Sequence, residues 1–301
     1  MACLFFLYKS SLFAYNAFKE NSKMNEIISK KQLSDNVFRF TFVNEDIAKA
    51  RKPGQFLILR VHDKGERIPL TIADSDAQKG TVDIIFQAVG KTTNLLSQLK
   101  KGDSILDAAG PLGSPTHIEN YGNVLLIAGG VGAAVLFPVL KALKEKGNQI
   151  TCIVGARDKD SLILINEIKP LCKNLYITTD DGSAGQKGFV TDVLSRLIEE
   201  KEKIDYVYAV GPVIMMKKVS EITKEHNIKT DVSLNPIMID GTGMCGGCRV
   251  IVKGNEKFAC VHGPDFNAHD VNFDLLLQRL TMFKDKEQHA AKCMCDKDED
   301  K

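Results

Sequence analysis

The sequence predicts a β-barrel plus α/β chain: an antiparallel β-barrel, then a doubly wound parallel sheet, then a small C-terminal segment. Three observations predict it. Residues 27–113 carry short alternating strands punctuated by Gly and Pro. From Asn123 the pattern changes to continuous apolar runs that alternate with helical stretches. Near the end, Cys245, Cys248 and Cys260 stand in a glycine-rich stretch unlike either part.

In the barrel, Val37–Val43 alternates apolar and polar residues, Gln55–Val61 follows a Pro53-Gly54 turn, and Thr81–Gln87 is a further strand. A helix over Asn94–Leu99 interrupts it. The run Val124–Ala128 is short and wholly apolar, as expected of a buried parallel strand. Gly129-Gly-Val-Gly132 follows and opens a helix over Ala133–Lys146. Strand Gln149–Val154, helix Ser161–Leu171, strand Asn174–Thr179, helix Phe189–Glu199, strand Tyr206–Val210 and helix Ile214–Glu225 continue the alternation. A last helix is expected over Phe273–Phe283. The divisions are 24–118 for the barrel, 119–228 for the α/β domain, 229–285 for the terminal segment and 286–301 for a charged tail. Residues 1–23 form an extension. Its apolar front, Met1–Tyr8, is too short and uncharged for a secretory signal, and reads as an upstream translation start or as an import or anchoring segment.

Composition narrows the class. With 44% apolar and 26% charged residues the chain reads as soluble and globular, and a net charge of +2 gives no reason to expect a nucleic-acid partner. No run approaches the ~18 apolar residues a membrane span needs. The eight cysteines are grouped rather than evenly spread, with Cys245, Cys248 and Cys260 at one locus, which argues for a metal site in a reducing, cytoplasmic setting rather than a disulfide framework.

That locus carries the sharpest signal. With a Cys at position 240, the stretch Asp240-Gly-Thr-Gly-Met-Cys245-Gly-Gly-Cys248 would give C-x4-C-x2-C, and Cys260 would be the fourth ligand: the plant-type [2Fe–2S] spacing. Small residues let the backbone curl round an anionic cluster and aim amides at its sulfurs. A carboxylate in the first position is chemically possible. Two blander readings stand beside this one: a structural zinc held by three Cys and an acid, or unliganded buried thiols. Asp240 has its own, as a turn residue ordering the following glycines. Cys152 reads as core and Cys172 as structural. Cys293 and Cys295 form a C-x-C in the tail.

Other motifs point to nucleotides. Gly129, Gly130 and Gly132 lie between a strand and a helix, where a pyrophosphate meets backbone amides. Gly211-Pro212 closes a later strand of the same sheet, at the end where ligands bind. Arg157 ends another strand and could face a phosphate or ribose, or simply solvent. In the barrel, Arg67-Ile-Pro69-Leu70-Thr71 offers a guanidinium for a phosphate and a hydroxyl for a ring nitrogen. Gly90, Thr92 and Thr93 enter a helix and form another possible anion cradle, although the P-loop pattern is absent.

Taken together, residues 24–279 resemble the ferredoxin-reductase-like flavoproteins, in particular the electron-transfer subunits found with dihydroorotate dehydrogenase. They are closer still to the small subunit of the electron-bifurcating NADH-dependent ferredoxin:NADP oxidoreductase type. The resemblance rests on Arg67–Thr71, Gly129–Gly132, Val210–Met216, Ser233–Val250 and Ala259–Phe266. It implies FAD in the barrel, NAD(H) in the sheet domain and a [2Fe–2S] cluster in the terminal segment. Arg67 would hold the FAD phosphate, Thr71 would approach flavin N5, and Gly90, Thr92 and Thr93 would contact the pyrophosphate. Many relatives have Gly where Thr92 stands and Cys-Gly-Pro where Val210-Gly211-Pro212 stands, so no thiol chemistry is expected near the nicotinamide. Dihydroorotate-type subunits carry four Cys ligands, and Asp240 favours the bifurcating type.

The implied function is exchange of hydride between NAD(H) and FAD, and of single electrons between FAD and the cluster. The cofactors do this chemistry, so no catalytic acid or base is assigned. The implied partner is a larger subunit with its own flavin and iron–sulfur clusters, through which ferredoxin is reached. Two alternatives remain at this point: a dihydroorotate-type subunit, and a zinc-stabilised nucleotide-sensing module. Preference between NADH and NADPH stays open, because Arg157 and Lys159 suit a 2′-phosphate while Asp158 opposes one.

Overall fold

A computed structural model of the chain describes residues 23–287 and 289–290. Residues 1–22 of the expected extension, with Cys3, and the tail residues Cys293 and Cys295 lie outside the described residues. The first domain is built on strands β1 (Ile27–Ser34), β2 (Val37–Val43), β3 (Phe56–Arg60), β4 (Arg67–Asp76), β5 (Thr81–Gln87) and β6 (Asp107–Leu112). They form one antiparallel sheet in the order β1-β2-β5-β4-β3-β6. The alternation in the sequence sends Phe40, Phe42, Leu57, Leu59, Ile84 and Phe86 inward as a fully enclosed core. Hydrogen bonds from Ile27 N to Asp103 O and from Gly102 N to Ile27 O, both 2.8 Å, close the sheet into a barrel.

Two helices accompany the barrel. Helix α1 (Glu45–Ala50) is one the sequence reading lacked; its start is fixed by Asn44, whose Oδ1 accepts from Ile47 N at 3.1 Å. Helix α2 (Lys91–Gln98) begins three residues before the expected Asn94, because Thr93 Oγ1 accepts from Gly90 N at 3.0 Å and caps the earlier turn.

The second domain is a parallel sheet with helices on both faces. Its elements are β7 (Asn123–Gly129), α3 (Gly132–Glu145), β8 (Gln149–Ala156), α4 (Ile165–Ile168), β9 (Asn174–Thr179), β10 (Gln186–Lys187), α5 (Val190–Glu199), β11 (Tyr206–Val210), α6 (Val213–Glu225) and β12 (Thr230–Ser233). Successive residues of one strand serve opposite layers. Leu125 and Ile127 pack towards α5 and α6, while Val124, Leu126 and Ala128 pack towards α3. The helix expected over Ser161–Leu171 is instead two 3₁₀ turns flanking the single-turn α4. Leu164 takes a left-handed φ of +59°, and Pro170 cannot donate a backbone hydrogen bond.

Beyond β12 come the hairpin β13 (Arg249–Val252) and β14 (Asn255–Phe258), the short α7 (Ala259–His262), β15 (Asp265–Asn267) and α8 (Phe273–Leu280). The full sheet order is β10-β9-β8-β7-β11-β12-β15, with β15 antiparallel to β12. The cysteine loop is therefore an excursion from a sheet edge to which the chain returns. Barrel and sheet are also pinned together. Asp74 of β4 accepts from Arg51 Nη2 at 3.0 Å and, through its other carboxylate oxygen, from Lys141 Nζ of α3 at 2.9 Å.

Candidate cofactor cleft and iron–sulfur loop

A cleft of about 1060 Å³ separates the barrel from the carboxyl ends of the parallel strands. One wall is barrel: Phe56, Pro69, Leu70 and Thr71, with Ile85–Gln87. The other comprises Gly129–Gly132 after β7, Gly155–Arg157 at the end of β8, Val210–Pro212 after β11 and Ser233–Asn235 after β12. β7 neighbours β8 on one side and β11 on the other, so the cleft meets the sheet where the strand order reverses.

The glycine turn is shaped by close approach. A Cβ on Gly132 would lie 2.5 Å from Val210 O, a backbone atom that cannot swing away. Gly130 differs: its φ is +56°, and a Cβ there would meet no atom within 4 Å. Gly132 thus brings two strand ends together, whereas Gly130 presents bare backbone to the cleft. Helices α3 and α6 both start beside it without a side-chain cap. The positive ends of both dipoles therefore favour an anion there, although Gly130 N, Ala133 N and Ala134 N already donate to Gly155 O, Gly130 O and Val131 O.

The sequence-predicted residues do not all converge. Pro69, Leu70, Thr71, Gly129, Gly130, Gly132, Arg157, Gly211 and Pro212 line the cleft. Arg67 does not line it; on the barrel surface its guanidinium pairs with Asp107 at 3.1 Å. Gly90, Thr92 and Thr93 also lie off the lining, next to Val89, which is on it. Thr92 Oγ1 donates to Glu66 at 2.8 Å, and the Thr93 hydroxyl is used in capping α2. Phe189, expected as the first residue of a helix, is instead the exposed residue before α5 and lines the cleft. An exposed aromatic at a helix start was its only sequence signal.

The cysteine loop is built differently. Cys248 and Cys260 are buried with their sulfurs 3.1 Å apart, and they are free thiols. Cys260 N also points at Cys248 Sγ, at 3.4 Å. Burial, followed by the neighbouring Cys248, pushes the Cys260 thiol up to about 12. A positive charge such as iron supplies would favour the Cys260 thiolate against that burial. Cys245 is exposed, and its sulfur accepts from Gly247 N at 3.4 Å. Asp240 accepts from Thr242 N at 2.8 Å and from Cys245 N at 2.7 Å, and these amides, Thr242 first, hold its carboxyl below the usual range. Among the described residues no three such side chains converge at metal-ligating distance. The arrangement fits an iron–sulfur group in its buried half, and Cys245 and Asp240 stand in the adjoining glycine loop, where Asp240 accepts from the Cys245 amide.

The loop is also tied to the cleft. A Cβ on Gly241 would lie 2.6 Å from Leu112 Cδ1 and 2.8 Å from Ile58 Cγ1, so this loop rests on strands β6 and β3 of the barrel. Cys248 and Cys260 share one apolar core with Phe56, which lines the cleft.

Comparisons with known proteins agree with this division. Residues 24–117 match an oxidoreductase FAD-binding domain, 126–221 an oxidoreductase NAD-binding domain, and 235–272 the iron–sulfur cluster binding domain of dihydroorotate dehydrogenase B. Fold and site thus define an oxidoreductase of the ferredoxin-reductase-like class that binds FAD, NAD and an iron–sulfur group. A homolog of the dihydroorotate dehydrogenase B electron transfer subunit from Thermotoga maritima is 51% identical over 265 residues, 88% of this chain and 93% of that one. The corresponding subunit of Desulforamulus reducens is 34% identical, covering 82% and 96%. The chain belongs to this family of electron-transfer subunits. A solved chain from the NADH-dependent reduced ferredoxin-NADP oxidoreductase, described in terms of flavin-based electron bifurcation, superposes with a TM-score of 0.87 at 49% identity, covering 91% of this chain and 99% of that one. Phthalate dioxygenase reductase, at 15% identity and a TM-score of 0.55, shares the fold alone. Among the described residues no helix is long and apolar enough to cross a membrane.

Proposed function

We propose that this chain is the NAD-facing subunit of a bifurcating NADH-dependent ferredoxin:NADP oxidoreductase, working with a larger subunit that carries its own flavin and iron–sulfur clusters. When bound, these groups would supply hydride exchange between nicotinamide and flavin and single-electron exchange between flavin and a [2Fe–2S] cluster. The chain's own part is to hold these groups in line. Thr71, Pro69 and Leu70 form the barrel wall against which a flavin ring would lie. The amides after β7 and β11 would receive the dinucleotide pyrophosphate. Arg67 would exchange its exposed pairing with Asp107 for the FAD phosphate, and Gly90, Thr92 and Thr93 would stand beside it. Asp240, Cys245, Cys248 and Cys260 would ligate the cluster.

The observation that carries the reading is Asp240. A carboxylate occupies the first ligand position, and it is already fastened into the loop that carries Cys245. Each carboxylate oxygen has a second lone pair left for iron. Support also comes from the full-length likeness to the bifurcating enzyme's chain. The test is anaerobic purification with the partner, followed by iron, flavin and nucleotide analysis. Asp240→Cys is expected to keep a [2Fe–2S] spectrum with a shifted potential, and Asp240→Ala to make the cluster labile while FAD stays bound. An Ala variant with unaltered spectrum and potential would remove the basis for this assignment.

A second reading has its own support in the names of the relatives: an electron-transfer subunit for dihydroorotate oxidation. Reduction of the complex by dihydroorotate, rather than by NADPH or reduced ferredoxin, would decide for it.

A further inference from the structure

One carboxyl stands where barrel, sheet and cysteine loop meet, and the chemistry above leaves it without a task. Asp265, on β15, accepts from Thr116 Oγ1 at 2.5 Å and from Tyr208 OH at 3.1 Å. Ser233 is its direct partner across the antiparallel ladder, on β12. Thr116 belongs to the barrel's exit, Tyr208 to the middle of the parallel sheet, and Ser233 to the cleft wall. The same junction is stitched on either side. Ser114 N donates to Gly263 O at 2.6 Å, Ser114 Oγ to Val261 O at 2.9 Å, and Leu234 N to Pro264 O at 2.9 Å. Val261 follows Cys260 in the chain, and Pro264 lines the cleft. This strap therefore spans from a cluster cysteine to the cofactor wall, and Asp265 is the carboxyl at its centre.

We propose that Asp265 is a positioning residue for electron transfer, fixing the cluster segment against the cofactor cleft through the Thr116 and Tyr208 hydroxyls, so that the protonation of its carboxyl controls how well flavin and cluster are coupled. The inference rests on the electron-transfer reading given above. Its logic is a count of donors and acceptors. An ionised carboxylate accepts from Thr116 on one oxygen and from Tyr208 on the other. A protonated one carries a hydrogen that itself needs an acceptor, so a hydroxyl that was donating has to turn round. Ser233, its ladder partner on β12, lines the cleft, so a shift of Asp265 is felt there.

The surroundings place the switch near neutrality. Burial raises the carboxyl to about 6, and the hydrogen bonds from Thr116 and Tyr208 oppose that rise. Asp231, on β12, is the charged group that acts on it, and being an acid it also opposes ionisation. Tyr208 is itself held far above the ordinary phenol range by burial, so it stays a donor. Among the described residues no cation pairs with Asp265. Asp265 takes up no electron, and it exchanges its proton with water.

The experiment uses the full chain with FAD and cluster bound and NADH as reductant, from pH 5 to pH 8. Two signals are followed: flavin bleaching, and growth of the reduced-cluster paramagnetic signal. In the wild type, cluster reduction relative to flavin bleaching is expected to fall as pH drops through about 6. Asp265→Asn is expected to give a flat profile, slowed roughly tenfold at high pH, with flavin and iron contents unchanged. Thr116→Val removes one donor that favours the ionised form and is expected to move the midpoint to higher pH. A wild-type profile in Asp265→Asn, or an unmoved midpoint in Thr116→Val, would overturn the proposal. The second variant decides the matter if the first does not fold. A wild type lacking flavin or cluster would instead refute the function on which the inference rests.

Discussion

The nucleotide cleft and the cysteine loop are neighbours made of different materials. The cleft's sheet wall is backbone: Gly132 tight against Val210 O, Gly130 bare, and two uncapped helix starts. Its geometry is set by strand pairing and exists before any ligand arrives. The loop is side chain. Two sulfurs meet in the core, while Cys245 and Asp240 are turned to amides of their own loop. A dinucleotide would find its site ready, whereas an iron–sulfur group would complete its own.

The largest expected effect tests the dependent half. Cys260→Ser is expected to abolish iron binding, measured as iron per chain, while FAD remains in its separate barrel. Loss of both would mean that the cleft is not preformed, and the contrast would break. Arg67→Ala probes the charged side chain proposed for the FAD phosphate, on the barrel side of the cleft. Its pairing with Asp107 is exposed on both sides, so protein stability should move by less than about 0.5 kcal/mol. Flavin affinity should nevertheless fall roughly tenfold to a hundredfold, read by flavin retained after gel filtration. Equal retention would make Arg67 a surface residue.

Two glycines sharpen the comparison further. Gly132→Ala forces a methyl against Val210 O and is expected to cost about 1–3 kcal/mol in chemical denaturation. Gly130→Ala meets open space, so only its left-handed φ is penalised, by about 1 kcal/mol. The smaller stability change should still slow NADH-driven flavin bleaching, because the added methyl occupies the approach of the pyrophosphate. Unchanged bleaching would put the dinucleotide elsewhere.

Much of this was legible in the chain. Strands Thr81–Gln87, Asn174–Thr179 and Tyr206–Val210 have the bounds that their apolar patterns predict. The FAD-, NAD- and iron–sulfur-binding domains follow the order expected from the motifs, and the iron–sulfur match favours iron over the zinc alternative. Short-range signals were missed where they were brief. Asn44, with Glu45 and Asp46 behind it, is a helix start, but α1 is too short for a periodic pattern. The Ser161–Leu171 stretch has helical composition, yet Pro170 and the turn at Leu164 divide it. The Asp265 junction was illegible for another reason. Thr116, Tyr208, Ser233 and Asp265 are distant in sequence, and each alone reads as an ordinary polar residue of a strand or loop.

The return of β15 to the edge of the sheet has an evolutionary side. Ser233 and Asp265 are direct partners across antiparallel strands, so a tight hairpin could have joined them. The redox loop occupies the place of that hairpin. Closing a long loop costs little more than closing a moderate one, since the entropy grows only with the logarithm of its length. An ancestral reductase could therefore have acquired an electron relay by lengthening one turn, leaving the order of its strands untouched.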